Sequence, residues 1–171
     1  QKNIEAISIS SFNTKIQEVD SRFVNLKFVI DNEFIFFSNY NSPKAFSFNS
    51  HIQIAALFYW SSTNTQIRMK ADIKRTSKKF NQEYFLNRSE EKNALAISSR
   101  QSEKISSYKE VTKNYKIIQK KVDLSICPEY WGGFSFTPYY FEFWEGHESR
   151  INKRLVYKKI NQKWEKGIIQ P

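Results

Sequence analysis

Four short stretches hold the side chains able to do chemistry. Arg22 and Lys27 bracket "RFVNLK", and Ser42 and Lys44 flank Pro43 in "NSPKA". Tyr84 and Arg88 span "YFLNR", and Arg150, Asn152 and Arg154 alternate in "RINKR", shortly after Trp144. These are cations, hydroxyls and amides, the donors that hold an anion. A phosphate monoester carries about −1.5 to −2 charges, and each hydrogen bond to a charged group contributes roughly 1.5–3 kcal/mol. Two or three such groups converging with a helix start would hold a phosphorylated ligand. Taken singly, each stretch has a plainer role: solvated strand charges, a helix cap, or an arginine laying its stem on a sheet with its head in water.

Other chemistries lack their residues. The four glycines form neither a P-loop nor a G-x-G-x-x-G turn. His51 and His147 lie far apart, with no H-x-x-x-H spacing, so no metal site is expected. Cys127 is the single cysteine, which rules out an intrachain disulfide and a Cys-rich zinc site. A Cys127/His147 nucleophile pair would rest on one cysteine in a proline-bearing loop, and reads as incidental. Carboxylates are scattered, without an evident acid/base pair.

The charged groups need a scaffold. The 171 residues are 40% hydrophobic and 16% aromatic, which fits one domain with a sizeable core, taken as 1–171. No apolar run reaches transmembrane length and no signal peptide pattern opens the chain, so a cytoplasmic location is expected. The net charge of +10 draws anions: nucleic acid, an acidic membrane or a phosphorylated small molecule.

Alternation with β-branched residues predicts strands at 4–12, 22–30 and 33–38, with Asp31-Asn32 as a turn. Within 22–30, Arg22 and Lys27 point to opposite faces. Ser42 as cap and Pro43 at the first position predict a helix over 43–50. The nearly continuous apolar run at 52–60 reads as a strand buried on both faces, with 66–76 as its partner. Phe80, Tyr84 and Arg88 share one face of a helix, and two more helices follow at 90–101 and 106–121. Residues 122–133 read as a loop. Strands at 134–144, 149–159 and 163–169 form a terminal meander, with Arg150, Asn152 and Arg154 on one face of its middle strand. Local connections and helices inserted between the fifth and sixth strands predict a mainly β fold, an antiparallel barrel with peripheral helices.

The run "WGGFSFTPYYFEFWEGHESRINKRLVY" resembles the W-G-G-[FY], E-F-W-x-G and R-x-H-x-R signature of the pyridoxine/pyridoxamine 5′-phosphate oxidase family, at about 131–171. Upstream, "RFVNLK", "FFSNYNSPKA", "LFYW", "QIRMKADIKR", "YFLNR" and "SSRQSEKIS" match further family segments in order. The resemblance implies an FMN-binding split β-barrel, a homodimer with FMN at the subunit interface, and oxidation of pyridoxamine or pyridoxine 5′-phosphate to pyridoxal 5′-phosphate. O2 would be the acceptor and H2O2 the by-product. It assigns Arg22, Lys27, Ser38, Lys44, Gln66, Gln101, Ser102, Trp144 and Arg154 to FMN. It assigns Lys27, Tyr84, Arg88 and Arg150 to the substrate. It implies no protein acid/base residue, since the flavin carries the chemistry, and no nucleic-acid or membrane partner.

Three positions depart from the family pattern. Asn152 stands for the histidine of R-x-H-x-R and cannot become cationic. Lys92 replaces a substrate-phosphate serine, and Pro43 replaces an arginine before Lys44. A flavin oxidase with another substrate, such as a phenazine precursor, is therefore an alternative. A non-enzymatic, basic, nucleic-acid-binding barrel is a second.

Overall fold

The computed structural model describes residues 6–171. Eight strands and four helices follow the predicted order: β1 Ala6–Asn13, β2 Glu18–Ile30, β3 Glu33–Asn39, α1 Pro43–Ser50, β4 Gln53–Trp60, β5 Thr65–Arg75, α2 Lys78–Leu86, α3 Glu90–Ser98, α4 Tyr108–Lys121, β6 Trp131–Glu145, β7 Lys153–Ile160 and β8 Lys163–Ile168. Residues 4 and 5 of the first predicted strand lie outside the described residues. The sheet order is β3-β2-β1-β4-β5-β6-β7-β8, and β3 also pairs with β6. That pairing closes a six-stranded antiparallel barrel, the class expected from locally connected strands, and leaves β7 and β8 as an extension.

The chain forms two compact units. The first comprises residues up to Phe36, Ser47–Lys74 and Ser135–Pro171; the second comprises Phe37–Phe46 and Arg75–Phe134. In the first, Ile7, Ile9, Ile35, Ile54, Met69 and Phe136 are buried. They are the inward positions of their strands, and Phe34 stacks on Phe136 at 5.2 Å between centroids. Burying each such side chain contributes roughly 1.5–3 kcal/mol. In the second unit, Phe85, Ala94 and Phe134 form the interior.

Four expectations are corrected. β4 is buried on one face only: Ile54, Ala56 and Phe58 point inward, while Gln53, Ala55, Leu57 and Tyr59 are exposed. A barrel wall buries alternate residues, so the continuous apolar run marks one packed face and one uncovered apolar face. The W-G-G segment belongs to β6 and not to the preceding loop. A Cβ on Gly132 would overlap the Tyr40 hydroxyl, and one on Gly133 would lie 2.5 Å from Thr76 Oγ1. These glycines permit close approach inside a strand and do not break it. The hydroxyl of Ser42 does not cap α1. It donates to the Asn39 carbonyl at 2.7 Å, closing the turn that leads into the helix. Finally, β7 begins at Lys153, so Arg150 and Asn152 lie in the preceding loop and do not share a strand face with Arg154. Arg150 has a left-handed backbone, φ 61°, and its N–H donates to the His147 carbonyl at 2.9 Å.

Candidate functional site

The candidate residues are divided between the two units, in two clusters on the second and one on the first. On the second unit, β3 ends where α1 begins, and this corner collects three of them. Lys44 is buried, 8% exposed, and its Nζ donates to Ser38 Oγ at 3.2 Å. Ser38 Oγ in turn donates to Gln101 Oε1 at 3.2 Å, and the Asn39 backbone N–H donates to the same oxygen at 3.3 Å. Gln101 reaches this corner from the segment that follows α3. Next to it, Ser102 takes a left-handed backbone, φ 70°, in an exposed turn. Ammonium, hydroxyl and carboxamide thus converge, the donor set that holds a phosphate or a polar heterocycle edge.

Tyr84 and Arg88 form a second cluster on this unit. The Tyr84 ring stacks on Phe37 at 3.9 Å between centroids, and the Arg88 guanidinium lies 4.4 Å from the Trp131 ring centroid. Arg88 follows the end of α2 and does not share its face. The chain turns at Asn87, whose N–H closes the helix onto Tyr84. The guanidinium is not in water: Nη2 donates to the Lys92 carbonyl at 3.3 Å, and Nη1 is buried without a hydrogen-bond partner. Burial pushes its pKa below the ordinary arginine value, yet arginine stays cationic at neutral pH. An orphaned buried donor on a cation costs free energy that an anionic ligand would return. The Lys92 side chain is exposed, and its backbone serves Arg88.

On the first unit, Glu142 organises the candidates. Its side chain is 2% exposed and forms an ion pair with Arg154 Nη2 at 2.8 Å. It also accepts from Arg154 Nε at 2.9 Å, Arg68 Nη1 at 3.0 Å and the Tyr140 hydroxyl at 3.1 Å. Desolvation raises the carboxyl pKa; the hydrogen bonds from Arg154 and Tyr140 and the charges of Arg68 and Arg154 outweigh it, and the net shift is downward. Arg154 Nη1 donates to the Gln170 carbonyl at 3.0 Å, so all three guanidinium nitrogens are fixed. Trp144 faces Arg154 across the β6–β7 ladder. Sequence reading missed Glu142, Arg68 and Tyr140. The available signal was a glutamate on the inward phase of an apolar strand, which requires buried cations.

Other predicted residues on this unit stand apart from that cluster. Arg22 donates to the Ile9 carbonyl at 3.1 Å and Ser11 Oγ at 2.8 Å, and pairs with Asp20 at 2.6 Å. Lys27 lies exposed on the opposite face of β2. Gln66 is half-buried opposite Tyr59. Arg150 is exposed. The carboxamide of Asn152 accepts from the His147 N–H at 3.0 Å, so it closes its own loop. An apolar cavity of about 660 Å³, lined by Leu26, Phe34, Phe58, Trp60 and Phe141 among others, contains none of the assigned residues.

A family model described as the pyridoxine 5′-phosphate oxidase C-terminal dimerisation region matches residues 131–171. A pyridoxine/pyridoxamine 5′-phosphate oxidase of Leptospira biflexa is 32% identical over 168 residues, covering 97% of this chain and 79% of that protein. One from Coxiella burnetii is 37% identical over 132 residues, covering 77% and 67%. Among solved structures, PhzG from Burkholderia lata in complex with tetrahydrophenazine-1-carboxylic acid superposes with a TM-score of 0.88 at 20% identity, covering 98% of this chain and 82% of that one. A pyridoxamine 5′-phosphate oxidase-related, FMN-binding protein of Nostoc punctiforme gives 0.79 at 14% identity, covering 98% and 88%.

Proposed function

The chain belongs to the pyridoxine/pyridoxamine 5′-phosphate oxidase family of oxidoreductases, and from that premise we propose that it binds FMN and oxidises pyridoxamine or pyridoxine 5′-phosphate to pyridoxal 5′-phosphate, with O2 as acceptor and H2O2 released. The observation that carries this reading is the convergence of Ser38, Lys44 and Gln101. All three stand at positions that the resemblance assigns to FMN, and their chemistry fits it: a buried cation and a hydroxyl for the phosphate, a carboxamide for a polar edge. When bound, FMN would supply the hydride acceptor and the route of electrons to O2. The protein's part is to bind and orient. Lys44 and Ser38 hold the cofactor phosphate, Arg154 holds a fixed cation beside Trp144, and Arg88 neutralises the substrate phosphate against Tyr84. No side chain is required to shuttle a proton.

The family dimerisation region and the apolar side chains left uncovered on one chain support a homodimer. Phe143 is 37% exposed, Trp164 45% and Ile168 85%. Light scattering should report twice the 20.4 kDa chain mass; a monomer at micromolar concentration would refute the dimer.

The direct test is reconstitution. The purified chain should bind FMN near one per chain, turn yellow, and release H2O2 from pyridoxamine 5′-phosphate in air. A preparation that stays colourless with excess FMN would overturn the reading.

A second reading keeps the flavin and changes the substrate, and the commitment of Asn152 to its own loop favours it. Asn152→His separates the two. On the leading reading it raises kcat/KM for pyridoxamine 5′-phosphate by about tenfold, the low end for a hydrogen bond to a charged group. An unchanged value with FMN bound supports the other substrate.

A further inference from the structure

Helix α4 carries a feature that flavin chemistry does not use. Lys109, Lys113, Lys116 and Lys120 follow one another at i, i+4, i+7 and i+11. At 3.6 residues per turn they fall within an arc of about 60° and span about 16 Å of helix axis. The half-buried residues of the helix are Glu110, Val111, Asn114, Tyr115 and Ile118. Their centre lies about 160° from the lysine arc, so the stripe points away from the face that packs on α3. None of the four lysines forms an ion pair among the described residues. The one acidic residue of the helix, Glu110, is turned to Ser106 and the N-terminal cap. Tyr108, one residue before Lys109 and about 110° around the helix from the centre of the arc, is 84% exposed.

A helix that sat in a membrane interface would turn its apolar side outward. Here the apolar Val111, Tyr115 and Ile118 lie half-buried on the side away from the lysines, and the outer arc is all ammonium. Four aligned point charges without carboxylate partners, beside an exposed aromatic ring, match a chain of phosphates with bases free to stack. We infer that the outer face of α4 binds single-stranded nucleic acid, with Lys109, Lys113, Lys116 and Lys120 on successive phosphates and Tyr108 stacking on a base. The inference is independent of the flavin reading and gives the chain a second activity on a separate surface.

Fluorescence anisotropy with a labelled oligothymidine of about 20 nucleotides tests it on the full chain. Four phosphate contacts on a single strand predict a slope of log K against log salt near −3, which is about a fifty-fold loss of affinity between 50 and 200 mM salt. Changing the four lysines to glutamine should weaken binding at least tenfold and flatten that slope, with FMN content and melting temperature retained. Should that variant fail to fold, Lys113→Gln with Lys120→Gln should halve the slope. Tyr108→Ala should weaken binding and leave the slope unchanged. Equal affinity of the lysine variants and the parent would overturn the inference, because the net charge alone would then explain binding. So would no binding at 50 mM salt, or capture by phosphatidylserine vesicles without capture of the oligonucleotide.

Discussion

Glu142→Ala is expected to cost about 3 kcal/mol of folding stability, at the lower end of the range for breaking a buried ion pair. The carboxylate is 2% exposed and gathers Arg154, Arg68 and Tyr140. Without it, Arg154 remains 24% exposed, with only the Gln170 carbonyl to hold it. Arg68, 52% exposed, regains water, and this keeps the loss from reaching the upper end. Urea denaturation of the apo-protein measures it as a fall in midpoint at unchanged slope. Glu142→Met combined with Arg154→Met should recover part of the loss, since an apolar pair leaves no buried charge behind. If Glu142→Ala shifts the midpoint by less than about 1 kcal/mol, the cluster does not hold the sheet as described.

The same carboxylate sets a pH dependence. Its folded-state pKa lies below the ordinary 4.5. A carboxyl depressed on folding stabilises the fold fully above its unfolded value, and the contribution is lost as pH falls through the folded value. The stability gap between the parent and Glu142→Gln should therefore be flat from pH 6 to 8 and shrink below about pH 4.5. The link to function runs through Arg154. Glu142 takes Nε and Nη2 and Gln170 takes Nη1, so the plane of the guanidinium is fixed before any ligand arrives. Preorganisation of that kind lowers the ordering cost of binding.

Much of this architecture was legible in the sequence because alternation reports which residues face a core. The Asp31-Asn32 turn and the eight strands follow from local rules that the tertiary structure leaves intact. The misreadings arise where contacts outside the local pattern decide the outcome. Gly132 and Gly133 look like a break until Tyr40 and Thr76 arrive against them. The β4 run looks buried on both faces because apolar composition does not distinguish a core from an uncovered face. Arg150 and Asn152 fit strand spacing, but His147 uses both to close a loop. The convergence of Ser38 with Gln101 lies across 63 positions of sequence, and only the family resemblance pointed to it. Glu142 stood on the inward phase of its strand, but its partners Arg68 and Arg154 sit on two other strands that local spacing does not connect to it.

Lys44→Met should weaken FMN binding by about ten- to a hundredfold, the effect of losing about 1.4–2.7 kcal/mol of charge-assisted hydrogen bonding. The ammonium is buried at 8% exposure, and its hold on Ser38 Oγ fixes its position at the corner of β3 and α1. A buried lysine contributes to phosphate binding without a large reorganisation, since its stem is already ordered. Riboflavin supplies the control, because it has the same ring system and no phosphate. If Lys44 meets the phosphate, the variant binds riboflavin about as well as the parent does, and the parent's preference for FMN collapses. If both ligands weaken equally, Lys44 supports the corner and the phosphate lies elsewhere. Ser38→Ala sharpens the distinction. The hydroxyl bridges Lys44 and Gln101, so its loss should reduce FMN affinity by less than the loss of the lysine, and riboflavin affinity through Gln101 as well. Isothermal titration of the apo-protein with each ligand resolves these outcomes without reference to turnover, and so locates the cofactor phosphate whatever the substrate proves to be.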